Sequence, residues 1–247
     1  MAFAMPSIAP QTVAQAAPAD RTPLPVLREY YDALSLALGP QHWWPARTPF
    51  EVIVGAILTQ NTAWTNVEKA IANLRRDRLL SPAALERVPQ AKLARLIRSS
   101  GYFRQKAKKL KAFVRFLHAE FGGSLAKLFR TPTAELREML LAVHGIGPET
   151  ADSILLYAGR HPVFVVDAYT RRILTRHGHI SEKSGYENIR ALFETTLPPG
   201  VQLFNEFHGL LVMTGKHWCR TKNPRCHECP LKPFLSARQL ALLEPRK

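Results

Sequence analysis

Residues 140–172, LLAVHGIGPETADSILLYAGRHPVFVVDAYTRR, carry most of the information about the fold of this 247-residue chain. An amphipathic helix leads into a tight turn at Gly145-Ile146-Gly147, and Pro148 opens a second helix. Both glycines permit positive φ and bring backbone N–H groups to the surface beside a helix N-terminus, while Ile146 anchors the turn in the core. Such a turn is suited to binding a DNA phosphate without reading any base.

Asp167 comes directly after the apolar run VFVV at 163–166, which predicts a short extended segment, and directly before the helical sequence AYTRRILTR. A carboxylate at this point is expected to cap the helix. Partly desolvated by the preceding valines, it is also able to stabilise positive charge developing on a sugar or to activate water. The two roles are compatible.

The remaining chain also predicts helices. Thr48-Pro49-Phe50-Glu51 is a capping box with proline at the first helical position, and Ser81-Pro82 and Thr131-Pro132 repeat the cap-plus-proline start. Apolar residues recur at helical spacing, and only VFVV reads as extended. We therefore expect an all-α fold with eight or more helices.

The chain is strongly basic, with 34 Lys+Arg against 19 Asp+Glu and a formal net charge of +15. The surplus is concentrated in two stretches, residues 75–115 and residues 215–238. Folded together they would line one groove for a polyanion, of which nucleic acid is the leading candidate. No apolar run of about 18 residues exists, which excludes a transmembrane helix and predicts no membrane partner.

Three cysteines, Cys219, Cys226 and Cys229, lie close together near the C-terminus. They are too few for a disulfide scaffold in a chain of this length, and their crowding suggests a metal site and a reducing compartment.

The 140–172 segment resembles the helix-hairpin-helix, Gly/Pro-rich loop and catalytic Asp of the endonuclease III (HhH-GPD) superfamily of DNA glycosylases, over about residues 30–232. The resemblance implies an all-α, two-lobed fold. One six-helix lobe would span about 48–162, with the hairpin at about 136–158, and residues 23–47 plus 163–247 would form the second. Residues 1–22, rich in Ala and Pro, are expected to be a disordered tail.

The resemblance gives Asp167 the catalytic role. Bifunctional members of the superfamily carry a Lys in the second hairpin helix that attacks C1′ as a Schiff-base nucleophile, and this chain has Glu149 at that position. A carboxylate cannot form an imine. This implies a monofunctional base-excision-repair enzyme that hydrolyses the N-glycosidic bond and leaves an abasic site, with no AP lyase activity expected.

The resemblance also implies DNA contacts. Gln60, at the helix end LTQNT, would fill the space left by an extruded nucleotide, and the loop at Gly101-Tyr102-Phe103 would wedge into the base stack. Core packing explains Tyr102 and Phe103 equally well. The predicted DNA-binding residues are Gln60, Tyr102, Arg104, Lys106, Gly145, Ile146, Gly147 and Thr150.

The pattern WWP…LTQNTAW is similar to the 3-methyladenine glycosylase branch, in which aromatic residues form the base pocket. The predicted pocket is therefore Trp43, Trp44, Pro45 and Trp64, with the flipped base between Trp44 and Trp64. Aromatic faces attract an electron-poor, cationic purine. The expected enzyme is a cytoplasmic, nucleoid-associated monomer that removes alkylated purines such as 3-methyladenine from damaged double-stranded DNA.

Two other functions stay open: an endonuclease III-type glycosylase, with or without lyase activity, on oxidised or mismatched pyrimidines, and a non-catalytic DNA-binding module. The cysteines resemble three of the four ligands of the superfamily's [4Fe-4S] loop, and the fourth position is Leu235. The alternatives are a cluster with a non-Cys fourth ligand, a [3Fe-4S] form, a Cys3His zinc site, or no metal.

Overall fold

The computed structural model describes residues 24–243, and within that range the chain forms helices and no β-strand. The predicted tail at 1–22 lies outside the described residues. The helices are α1 Leu24–Leu38, α2 Pro49–Leu58, α3 Trp64–Arg76, α4 Pro82–Arg87, α5 Gln90–Leu96, α6 Phe103–Phe121, α7 Leu125–Leu128, α8 Thr133–Ala142, α9 Pro148–Ser153, α10 Ala168–Arg176, α11 Tyr186–Thr196, α12 Val201–His217 and α13 Ala237–Leu243. Helix α9 continues as one wider π turn, Ile154–Ala158, and single 3₁₀ turns lie at Arg98–Ser100, Cys226–Glu228 and Lys232–Phe234.

Two of the three predicted cap-plus-proline starts form. The hydroxyl of Thr48 accepts a hydrogen bond from the backbone N–H of Glu51 at 3.2 Å, and the hydroxyl of Ser81 accepts one from Ala84 at 3.3 Å. The reciprocal half of the Thr48 capping box is absent, because the Glu51 carboxylate pairs with Arg75 instead, at 2.7 Å. Thr131 does not cap, since α8 begins at Thr133.

Eight helices, α2 to α9, occupy residues 48–162, where six were expected. The two additional helices are the short α5 and α7, which have too few turns to show a periodicity. Helix α6 packs against α2, α4 and α5 in this part of the molecule.

Helix α12 packs against α1 and α10, so residues on both sides of the 48–162 segment meet. Gly215 makes the α10–α12 contact close: a Cβ at this position would lie 2.3 Å from the Tyr169 ring. The VFVV segment, residues 163–166, is fully buried without joining a sheet, and Phe164 stacks on Phe193 with ring centroids 3.7 Å apart.

Within residues 24–243, none of the helices combines the length and apolar character needed to span a bilayer.

Candidate active site

A cleft with about 1040 Å³ of space for water-sized molecules opens between the hairpin turn, the loop before α2 and the N-terminus of α10. Several predicted site residues that are far apart in the sequence lie together in the walls of this cleft. Of the predicted site residues, the cleft is lined by Trp43, Trp44, Gln60, Trp64, Gly145, Ile146, Gly147, Thr150 and Asp167.

Asp167 is held at the N-terminus of α10 by its own backbone and side chain. Its backbone is extended, and its Oδ1 accepts a hydrogen bond from the N–H of Thr170 at 2.7 Å. Its Oδ2 lies 3.6 Å from Nε2 of His208. Burial by itself would raise the pKa of Asp167, but the facing His208 and the hydrogen bond from the Thr170 N–H outweigh burial and hold the pKa below its usual value. The carboxylate is therefore ionised at neutral pH.

His208, on α12, connects Asp167 to the π turn that follows α9. Its Nδ1 is 2.5 Å from the hydroxyl of Tyr157, and its side chain is buried. A ring with a partner at one nitrogen is fixed in orientation, so Nε2 stays directed towards Asp167. Burial and the neighbouring Asp167 raise the pKa of the Tyr157 phenol, which keeps this hydroxyl protonated.

Glu149 shares the cleft with Asp167. It lies in the first turn of α9 and is exposed to the cleft solvent. The surrounding walls and the negative charge of Asp167 raise the pKa of Glu149 to about 7, against an opposing effect of His208. Of the two carboxyl groups in this cleft, Asp167 therefore favours the ionised form, whereas Glu149 retains its proton to a higher pH.

The tryptophans pack differently from the predicted slot. Trp44 and Trp64 lie over Gly55 and contact each other edge to face, with ring centroids 5.0 Å apart and an interplanar angle of 89°. A base can stack between two rings only when the rings are parallel and have room between them. The prediction that the flipped base lies between Trp44 and Trp64 is therefore wrong for the edge-to-face packing seen here. Trp44 also packs on Tyr157, at 5.1 Å. Pro45 is exposed and does not line the cleft.

Gln60 joins the cleft wall to the hairpin turn. Its Nε2 donates to the carbonyl of Gly145 at 3.1 Å and to the hydroxyl of Thr150 at 2.9 Å, and Lys109 donates to its Oε1. Thr150 is buried, so its hydroxyl supports Gln60 and is not exposed to bind DNA as predicted. Gly145 has φ +86°, and Ile146 is buried beneath the turn.

The predicted DNA-binding residues of α6 separate into exposed and buried ones. Tyr102 is 68% exposed and adopts a left-handed backbone at the start of α6, while Phe103 packs against the core. Arg104 is exposed. Lys106 is buried, and its Nζ donates to the carbonyls of Leu58 at 2.9 Å and Ser100 at 2.6 Å. The assignment of Lys106 to DNA is therefore wrong, because its ammonium group is used inside the fold.

The three cysteines converge on a second cavity, which Leu235 also lines. A [4Fe-4S] cluster takes four thiolates, and Leu235 offers only hydrocarbon, so these residues do not fit a four-thiolate cluster. Cys219 is held by the protein itself: Nη1 of Arg176 donates to its sulfur at 3.2 Å. Burial raises the pKa of the Cys229 thiol to about 11. Across residues 24–243 the fold brings no three His, Cys, Asp or Glu side chains close enough to hold one metal ion, which argues against the Cys3His alternative.

Sequence reasoning missed His208 and Tyr157. Both lie on helical faces that read as ordinary core, and 51 residues separate them along the chain. Only the packing of α12 against the π turn after α9 brings them together. Single π turns inside helices are frequent at functional sites, but nothing in the sequence ILLYA predicts a π turn here.

Comparisons with known proteins agree with this geometry. Residues 54–199 match the family model of the HhH-GPD superfamily base excision DNA repair proteins. A candidate DNA repair glycosylase of Methanocaldococcus jannaschii, MJ1434, is 46% identical over 211 residues, covering 85% of this chain and 92% of that protein. Endonuclease III of Thermotoga maritima is 33% identical over 184 residues, covering 74% of this chain and 81% of that enzyme.

Among solved structures, the 3-methyladenine DNA glycosylase MagIII of H. pylori, bound to 1,N6-ethenoadenine, is similar with a TM-score of 0.66 and 30% identity. The match covers 78% of this chain and 97% of MagIII. The family model covers more than half of the chain, and the cleft has an ionised Asp beside a helix-hairpin-helix. The chain therefore belongs to the HhH-GPD superfamily of base excision DNA repair glycosylases, which includes endonuclease III.

Proposed function

We propose that this protein is a monofunctional glycosylase that hydrolyses the N-glycosidic bond of alkylated purines, such as 3-methyladenine, in damaged double-stranded DNA. The observation that carries the proposal is the pair of acidic groups in an aromatic cleft: Asp167 is ionised, and position 149 holds a carboxyl and no amine. The similarity to a 3-methyladenine glycosylase supports the same substrate class.

In the proposed reaction, the ionised Asp167 stabilises the positive charge that develops on the sugar as the base leaves, and water attacks C1′. Its Oδ1 is fixed by Thr170, and its Oδ2 faces His208, so it needs little reorganisation during the reaction. Trp43, Trp44 and Trp64 supply ring faces against which a cationic purine stacks. No step of this reaction uses Cys219, Cys226 or Cys229. We also expect the protein to act as a monomer.

Replacing Asp167 with Asn tests this mechanism. Asn can still accept the Thr170 hydrogen bond but carries no charge, so base release should fall by at least about 100-fold while DNA binding persists. Duplexes carrying 3-methyladenine and duplexes carrying thymine glycol are incubated with protein, and the released bases and any nicks are identified. Undiminished turnover by Asp167→Asn would reject the mechanism, and release of neither base by the wild type would favour a non-catalytic DNA-binding module.

A second candidate is an endonuclease III-type enzyme with lyase activity on pyrimidine lesions. It is favoured by the 33% identity to an endonuclease III and by two lysines in the cleft, Lys109 and Lys216. Lys216 lies over the ring of Trp43, with Nζ 5.7 Å from its centroid, whereas Lys109 is engaged by Gln60. Borohydride trapping of a protein–DNA adduct that disappears in Lys216→Ala would support this candidate over the first.

A further inference from the structure

Glu149 has no task in the reaction just described, although its side chain lies in the same cleft as Asp167. It is the second residue of α9 and follows Pro148. In the described part of the chain, no hydrogen bond or ion pair engages its carboxyl. Asp167, in contrast, is bound to Thr170 and faces His208. The cleft therefore contains one restrained carboxyl group and one unrestrained one.

The groups around Glu149 determine which of the two carboxyls carries a proton. The neighbouring elements bring Asp167, His208, Tyr157 and Tyr186 within electrostatic range of it. The restraints on Asp167 favour its ionised form, and that negative charge disfavours a second one nearby. Together with desolvation by the surrounding cleft walls, this raises the pKa of Glu149 to about 7. Below neutral pH, Glu149 is mostly a neutral acid in the same cleft as an ionised Asp167, a division typical of acid and base roles.

We propose that Glu149 is a general acid that donates a proton to the departing base, and that the enzyme consequently releases neutral damaged purines as well as cationic alkylated ones. This inference rests on the proposed glycosylase function and extends its substrate class.

The chemistry of the leaving group explains the extension. A cationic alkylated purine takes both electrons of the C1′–N bond and leaves as a neutral molecule, so it needs no proton. A neutral purine that leaves in the same way becomes an anion unless an acid protonates it. Here the Glu149 proton moves to a ring nitrogen of the base as the bond breaks. Water then adds its oxygen to C1′, and the proton that it loses returns to the Glu149 carboxylate.

Three other proton donors in or beside the cleft are already engaged. The hydroxyl of Tyr186 donates to Asp152 at 2.8 Å, and the hydroxyl of Tyr157 is bonded to His208. The ammonium of Lys109 donates to Gln60. Glu149 combines an unengaged carboxyl with direct access to the cleft, so its proton is available to a base bound there.

The test compares two lesions in otherwise identical duplexes under single-turnover conditions: 3-methyladenine, which is cationic, and 1,N6-ethenoadenine, which is neutral. Wild type, Glu149→Gln and the conservative Glu149→Asp are measured as a function of pH, with circular dichroism and DNA affinity to confirm folding. For Glu149→Gln we expect release of the neutral base to fall by about 100-fold or more and release of the cationic base to change less than about threefold. Glu149→Asp should recover part of the neutral-base activity.

The pH profile gives an independent readout. Because the protonated acid is lost above its pKa, wild-type release of ethenoadenine should fall about tenfold per pH unit above pH 7, while release of 3-methyladenine stays flat. Equal losses on both bases in Glu149→Gln, or a flat wild-type profile on the neutral base, would overturn the general-acid proposal and leave the glycosylase function intact. If the wild type releases neither base, the proposed function itself fails.

Discussion

At the scale of single residues, the two carboxylate oxygens of Asp167 have different partners. Oδ1 caps α10 through Thr170, and Oδ2 faces His208. The cap fixes the carboxylate at the edge of the cleft, and the facing imidazole helps to keep it ionised. A residue whose sequence position predicts a helix cap is for this reason also well positioned for the proposed catalytic role.

Gly145 is the residue of the hairpin turn that tolerates substitution least. It has φ +86°, and a Cβ there would lie 2.4 Å from Cγ of Lys109. We expect Gly145→Ala to lower the free energy of unfolding by about 1–2 kcal/mol from backbone strain alone. It should also weaken DNA binding, because the stem of Lys109 must move and disturb the Gln60 contacts. Urea unfolding and fluorescence anisotropy on duplex DNA measure the two effects.

Gly147 provides the matched control in the same turn. Its φ is −97°, which other residues adopt, and no atom lies within 4 Å of a Cβ built there. Gly147→Ala should therefore cost only about 0.5 kcal/mol, the difference between Gly and Ala at an N-cap. Equal destabilisation by the two substitutions would show that the positive φ at Gly145 does not cause the loss of stability.

At the scale of elements, one buried carboxylate connects the hairpin to α11. Asp152 on α9 is 0% exposed and accepts hydrogen bonds from Nε and Nη2 of Arg137 on α8, at 2.7 and 3.1 Å. It also accepts one from the hydroxyl of Tyr186 at the start of α11. That hydroxyl in turn accepts a long hydrogen bond, at 3.4 Å, from the N–H of Val166, next to Asp167. The two hairpin helices and the segment that leads to Asp167 thus share one polar network.

We expect Asp152→Ala to lower the free energy of unfolding by about 3–5 kcal/mol, because it leaves the Arg137 guanidinium buried without its main partner. Glu187, a second partner of Arg137 at 2.7 Å, has a side chain that is 52% exposed and serves as the control. Glu187→Gln should cost less than about 1 kcal/mol, since solvent screens that pair. Chemical denaturation measures the free energy of unfolding of both variants. Similar losses of stability would contradict the explanation that burial makes the Asp152–Arg137 pair the more important one.

At the scale of the whole molecule, tertiary structure removes part of the basic stretch 75–115 from the surface. Lys106 and Lys111 are buried with their ammonium groups on backbone carbonyls, and Arg75 pairs with Glu51. The charge available to a DNA duplex is therefore smaller than the count of basic residues suggests. Burial lowers the pKa of Lys106 to about 8, with the nearby Lys109 contributing.

A comparison of Lys108 and Lys106 tests this distinction, since Lys108 is exposed on the same helix. Lys108→Ala should weaken DNA binding at low salt and reduce the slope of log affinity against log salt by about 0.9, the value for one phosphate contact. Lys106→Met keeps the aliphatic stem and should leave that slope unchanged. Titrations at several salt concentrations measure both, and a reduced slope in Lys106→Met would place its ammonium group on DNA.

The sequence by itself determined the all-α class, the hairpin turn and the capping position of Asp167. These are local properties, because they depend on glycine, proline and polar residues at fixed spacing along the chain. The same residues form the motif that resembles the superfamily. Helices α5 and α7 escaped prediction because two turns or fewer show no clear period. Tertiary structure alone decided that His208 and Tyr157 meet Asp167, that Trp44 and Trp64 contact edge to face, and that Lys106 points inward. Each of these depends on contacts between residues distant in the chain, whose geometry is set by helix packing and leaves no periodic trace in sequence.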